Sequence, residues 1–130
     1  MKGNKDISTL AADRYNQIKV ETADQLTLIT MLYDGLVRFL TAALEKMKKG
    51  ENAHKDCIRA RDIADHLMHS TIDDGSEMAK NLIALCFHIY REVITAHMEQ
   101  SADRIEGILP VAQKLRSAWA EVKEREGALV

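Results

Sequence analysis

The sequence predicts an all-α fold: an antiparallel up-down four-helix bundle with an N-terminal arm or short helix. Three observations predict it. Apolar residues recur at i, i+3, i+4 spacing through four separate segments, the period of a helix buried along one side. Turn and cap signals at Gly50, at Asp73-Asp74-Gly75-Ser76 and at Ser101-Ala-Asp103 divide those segments. One proline and six glycines in 130 residues leave long helices almost uninterrupted, and no Asn-Gly or Asp-Gly pair joins two alternating segments as a hairpin would require.

Residues 1–21 read as the arm. They are polar, with scattered apolar points at Ile7, Leu10, Tyr15, Ile18 and Val20. A short helix over Ser8 to Tyr15 fits, with Ser8 as its cap. That apolar content is too sparse to seed a core and sufficient to dock on one. The bundle then occupies 22–125. Thr22-x-x-Gln25 reads as a capping box, with Asp24 placed to complement the helix dipole. The central helix that follows carries two apolar rows. One is Ile29, Leu32, Leu36, Phe39 and Ala43; the other is Leu26, Tyr33, Val37, Leu40 and Leu44. Side by side they cover about half the circumference, so this helix needs at least two neighbours. Lys46, Lys48 and Lys49 mark its end and Gly50 stops it.

The second bundle helix runs from Asn52, its cap, to about Ile72, burying Cys57, Ala60, Ala64, Leu67, Met68 and Thr71. Its small residues let a neighbouring helix approach closely. The third spans about Glu77 to Gln100. Its rows are Met78, Leu82, Leu85, Ile89, Val93 and Ala79, Ile83, Cys86, Tyr90, Ile94. The fourth is capped by Asp103-x-x-Glu106 and runs to about Arg125, burying Ile105, Ile108, Leu109, Ala112, Leu115, Trp119 and Val122. Pro110 falls inside it and predicts a kink or a distorted first part. Residues 126–130 read as a frayed tail.

Composition bounds the function. With 46% hydrophobic and 29% charged residues, the chain reads as one ordinary globular domain, 1–130, able to bury its own core. Its net charge of −2, with both signs interspersed, offers no basic face for nucleic acid. Met1-Lys-Gly-Asn-Lys-Asp is not followed by the apolar run of a signal peptide, and no stretch reads as a membrane span. A cytosolic protein is the expectation. Cys57 and Cys86 sit inside helical patterns and read as small buried hydrophobes, not a disulfide.

Candidate chemistry is thin. Glu51-x-x-His54 matches the Glu-x-x-His element of di-metal carboxylate bundles, but no second copy exists. His66 and His69 share a helix face without a third ligand at helical spacing, and His88 and His97 read as isolated. Neither a glycine-rich phosphate loop nor a nucleophile elbow is present. The expectation is no enzyme, no cofactor and no metal. Excess apolar surface says more. Ile83, Phe87, Ile94 and Met98 extend beyond the inward arc of the third bundle helix; Met31 lies on the polar side of the central helix and Ile58 on the outer side of the second. Each such side chain left in water forgoes about 1.5–3 kcal/mol. A larger core, the arm, a partner helix or another subunit can cover them, and a groove of Met, Phe and Ile suits an amphipathic helix.

Several motifs, spread over nearly the whole chain, carry a resemblance. They are Tyr15 followed by Val20-x-Thr22, Leu26-Thr-Leu-Ile-Thr-Met-Leu-Tyr-Asp-Gly35, and Ala60-x-x-Ile63-x-x-x-Leu67 before the turn at Asp73. Ala79-x-Asn81-Leu82 and Leu115-Arg116-x-Ala118-Trp119 complete them. The chain resembles the FliS family of flagellar export chaperones. It departs from the family's usual pattern where Gln25 replaces a proline, where Leu85-Cys86 replaces a Leu-Tyr pair, and at Pro110. The resemblance implies a cytosolic bundle that binds the C-terminal segment of flagellin, prevents its premature polymerisation and aids delivery to the flagellar type III export apparatus. Under that reading Met31, Ile58, Ile83, Phe87, Tyr90, Ile94 and Met98 contact flagellin, while Ile7, Leu10 and Tyr15 of the arm occupy a groove when flagellin is absent. The protein itself is then a monomer or weak homodimer. The alternative is a homo-oligomeric structural bundle without a flagellin client, which sedimentation at micromolar concentration separates from a monomer.

Overall fold

The computed structural model describes the backbone of residues 7–71 and 73–128 and the side chains of residues 25–71 and 73–125. Four helices follow one another: α1 (Ile7–Lys48), α2 (His54–Ser70), α3 (Glu77–Glu99) and α4 (Ala102–Ala128). α1 packs on α2 and α4, α2 on α3, and α3 on α4, which closes a ring of four. The short connections make sequential neighbours antiparallel, as an up-down bundle requires.

α1 differs from the sequence expectation. It is one helix of 42 residues beginning at Ile7, about 60 Å long, and not an arm followed by a helix from Thr22. Thr22, Asp24 and Gln25 therefore lie inside the helix and not at its start. The physical reason is the composition of residues 8–24: they contain no proline or glycine and include Ala11, Ala12, Arg14, Gln17, Lys19, Glu21 and Ala23, all good helix formers. Nothing there stops a helix. The arm residues Ile7, Leu10 and Tyr15 belong to this backbone, and their side chains lie outside the described residues.

The ends of the other elements follow from local hydrogen bonding. Gly50 adopts φ 72° at the end of α1. The Glu51 N–H then reaches the Lys46 carbonyl at 2.8 Å and the Gly50 N–H reaches Met47 at 3.1 Å, a Schellman closure. α2 starts at His54, not Asn52; Asn52 instead accepts the His54 N–H through Oδ1 at 2.8 Å. Ser76 Oγ accepts the Ala79 N–H and caps α3. For α4 the cap is Ser101, whose Oγ accepts the Arg104 N–H, and not the expected Asp103 with Glu106. Pro110 stands inside a continuous α4. It is exposed on the face away from the core, where water can serve the carbonyl its missing N–H leaves free.

The core is mostly what the periodicity predicts. Tyr33, Leu36, Val37, Leu40 and Ala43 of α1 meet Cys57, Ala60, Ala64 and Leu67 of α2. Cys86, Ile89, Val93 and Ala96 of α3 and Ile105, Ile108 and Ala112 of α4 complete it. Gly35 is the close-approach point between α1 and α2, since a Cβ there would stand 3.2 Å from Ile63 Cδ1. The stretch Gln25–Lys48 is long and apolar enough to cross a membrane by length and composition. It is the packed part of α1, and its apolar rows face the other three helices.

Candidate functional site

The inward direction of α3 is marked by Ala79, Cys86, Ile89, Val93 and Ala96, all buried. At about 100° per residue, Tyr90, Ile83, Ile94, Phe87 and Met98 follow in that order round one flank. Two contacts say which neighbour that flank faces. His54 at the start of α2 touches His97 near the end of α3, with Nδ1 and Nε2 3.0 Å apart. On the opposite flank Arg104 of α4 reaches Glu92 at 3.1 Å. The apolar flank is therefore the α2 side. Ile58 lies one helical turn on from His54, on the outward side of α2, and the antiparallel register brings it level with Ile94. Ile58, Ile83, Phe87, Ile94 and Met98 thus share the outer surface of the α2–α3 pair.

The degree of exposure separates them. Met98 is 81% exposed and Phe87 44%. Ile58, Ile83 and Ile94 are half-buried. Tyr90, at the inner edge of the flank, packs against the core cluster, so only part of its ring is available. The Arg91 guanidinium lies 5.7 Å from the centroid of the Phe87 ring, a cation–π contact that holds the ring at the surface. Met31 does not belong to this surface. It is 64% exposed on the outward face of α1, a different helix and a different side.

The sequence reading placed Met78 and Leu85 inward, and the structure corrects it: they are 79% and 38% exposed. Met78 points in nearly the same direction as Ile89 and Ala96, but it sits in the first turn of α3, at the end of the bundle. There it lines a cavity of about 340 Å³ with Leu26, Ile29, Ala79 and Trp119. Leu28, also exposed, lines a second cleft of about 300 Å³ between α1 and the end of α2. Neither was legible as a surface feature from the apolar period.

The ionisable groups are arranged for structure. Lys46 and Asp56 pair at 2.6 Å and tie α1 to α2. Arg104 holds both Glu92 and Glu99. The Tyr33 hydroxyl lies 3.4 Å from Cys86 Sγ, joining α1 to α3 in the core. Burial first, then the neighbouring thiol, pushes the Tyr33 hydroxyl well above its ordinary range. Burial also raises Cys86 and Cys57. Among the described residues, no group of three or more His, Cys, Asp or Glu side chains is placed to hold a metal ion. The arrangement offers apolar contact along paired helices, the geometry that takes an amphipathic segment.

Comparison with known proteins gives one consistent answer. The model of the family described as flagellar protein FliS matches residues 8–126. The chain is similar to the flagellar secretion chaperone FliS of Escherichia coli (strain K12), 29% identical over 115 residues that cover 82% of this chain and 85% of that protein. It is 28% identical over 122 residues to the one of Campylobacter jejuni, covering 92% and 95%. The one of Bacillus subtilis (strain 168) is 25% identical over 121 residues, covering 88% and 90%.

Proposed function

The chain belongs to the flagellar protein FliS family, and from that premise we propose that it is a flagellar export chaperone whose client is the C-terminal segment of flagellin. The observation that carries this reading is the outer α2–α3 surface, where Phe87 and Met98 are left in water beside half-buried Ile58, Ile83 and Ile94. Leaving such side chains exposed forgoes about 1.5–3 kcal/mol each and promotes aggregation. A client that covers them recovers that energy. The client segment is amphipathic and folds as it binds, laying its apolar face along the two helices.

The mechanism is one of withholding. Apolar surface engaged by the chaperone is not available for flagellin to polymerise, so the client stays monomeric until the export apparatus receives it. No nucleotide enters this scheme; release follows from handover to a partner that competes for the same apolar face. The site of action is the cytosol, where flagellin is made.

Phe87→Asp tests the surface directly. The substitution removes an apolar anchor and places a charge in the interface, so peptide binding should weaken at least about tenfold. Phe87 is half in water, so helicity by circular dichroism and the melting temperature should stay close to those of the parent. Undiminished binding would move the client to another face, and an unfolded variant would make Phe87 part of the core.

A further inference from the structure

His54 and His97 lie 43 positions apart in sequence, yet they meet at one corner of the bundle. Their rings stand 4.9 Å apart between centroids and are tilted by 51°. Both are held from outside the pair. The backbone N–H of His54 donates to Asn52 Oδ1 at 2.8 Å, which fixes the first turn of α2. The His97 carbonyl accepts from Gln100 Nε2 at 2.7 Å at the end of α3. His54 is exposed and His97 half-buried, so an ion in solvent can reach both facing nitrogens.

We propose that His54 and His97 form a two-ligand site for a divalent transition-metal ion of the zinc or nickel class, with water completing the coordination. Two imidazoles ligating one tetrahedral zinc at about 2.0–2.1 Å place their nitrogens roughly 3.3 Å apart. The observed 3.0 Å needs only a small opening of the pair. In the metal-free pair one ring donates the shared proton from its facing nitrogen. Ligation moves that ring to its other tautomer, the proton exchanging through water, so that both lone pairs face the ion. No third His, Cys, Asp or Glu among the described residues completes the site, which makes water a necessary ligand and the site an open one. Bound there, the ion ties the first turn of α2 to the last of α3 and stabilises the folded chain by linkage. The proposal does not depend on the client reading.

The experiment uses the full chain without a polyhistidine tag, treated with EDTA and dialysed. Equilibrium dialysis counts bound Ni²⁺ and Zn²⁺, and thermal unfolding is followed with NiCl₂, ZnCl₂ or MgCl₂. The expected result is one Ni²⁺ or Zn²⁺ per chain, a melting temperature raised by several degrees and lowered again by EDTA, and no shift with Mg²⁺, which prefers oxygen ligands. His54→Ala and His97→Ala should each abolish the binding and the shift while keeping the helical circular dichroism. Should one variant fail to fold, the other carries the test. Absence of binding by the parent chain overturns the proposal. So does equal binding by both variants, which would assign the ion to His66, His69 or His88.

Discussion

Tyr33 and Cys86 show how much of this molecule is decided by single side chains. Both are almost wholly buried; the Tyr33 hydroxyl stands 3.4 Å from the thiol, with the Trp119 side chain as a further hydrogen-bond partner. Burial favours the neutral form of each, so both titrate above their ordinary values of 10.0 and 9.0. The sign follows from proton binding. Above about pH 9–10 the unfolded chain releases these protons while the folded chain keeps them, so the contribution is intact at neutral pH and lost as pH rises through that window. Stability measured by urea unfolding should fall by up to about 1.4 kcal/mol per pH unit per group between pH 9 and pH 11. Tyr33→Phe should flatten that decline and lower stability at pH 7 by roughly 0.5–1.5 kcal/mol through the lost hydrogen bond. A decline unaltered by the substitution would place the alkaline sensitivity elsewhere. The sequence showed Tyr33 in an inward row but could not show its partner. The two residues are 53 positions apart, and the contact exists only because α1 and α3 cross the same core.

At the scale of the element, the apolar period located all four helices and most of their buried faces. It failed in two instructive ways. Periodicity gives the direction of a side chain around a helix axis but not where along that axis the neighbouring helices end. Met78 points as Ile89 does, yet it lies in the first turn of α3 and borders an open cavity. Capping motifs failed differently. Thr22-x-x-Gln25 has the right residues for a start, but nothing upstream breaks the helix, so α1 runs through it. Stops proved more legible, because glycine at positive φ has a specific physical role. Gly50 at φ 72° has open space around its Cα, so Gly50→Ala incurs only the backbone cost of that conformation. It should destabilise the chain by about 1 kcal/mol in urea unfolding, without altering the cooperativity. The N-terminal part of α1 also yields a prediction. Leu26 is its first described core residue, so deleting residues 1–14 should leave the bundle folded. If those residues occupy the client surface in the absence of client, affinity for the flagellin segment should rise or stay unchanged. A marked loss of affinity would make them part of the client site instead.

For the whole molecule, the ring of four helices determines what can bind. Inward faces are filled mostly by small and branched side chains, and the exposed apolar excess falls on α3, at Met78, Leu85, Phe87 and Met98, and on α1, at Leu28 and Met31. The family was legible in the sequence because its motifs are spread over all four helices and include buried positions such as Leu26, Tyr33, Ala60, Leu67 and Ala79. The surface set was only partly legible. Ile58, Ile83, Phe87, Ile94 and Met98 share one surface, whereas Met31 stands apart and Tyr90 belongs largely to the core. An exposed position in sequence says that a residue is outward, while only the assembled bundle says which outward residues are neighbours. The central claim is that this bundle engages the flagellin C-terminal segment by covering apolar surface as the segment folds. Calorimetric titration of the purified chain with a peptide from the last ~50 residues of the host's flagellin, repeated at several temperatures, tests it most directly. The account predicts one-to-one binding with a clearly negative heat-capacity change, the mark of apolar burial coupled to folding. No heat at any temperature, together with no complex in gel filtration, would contradict it.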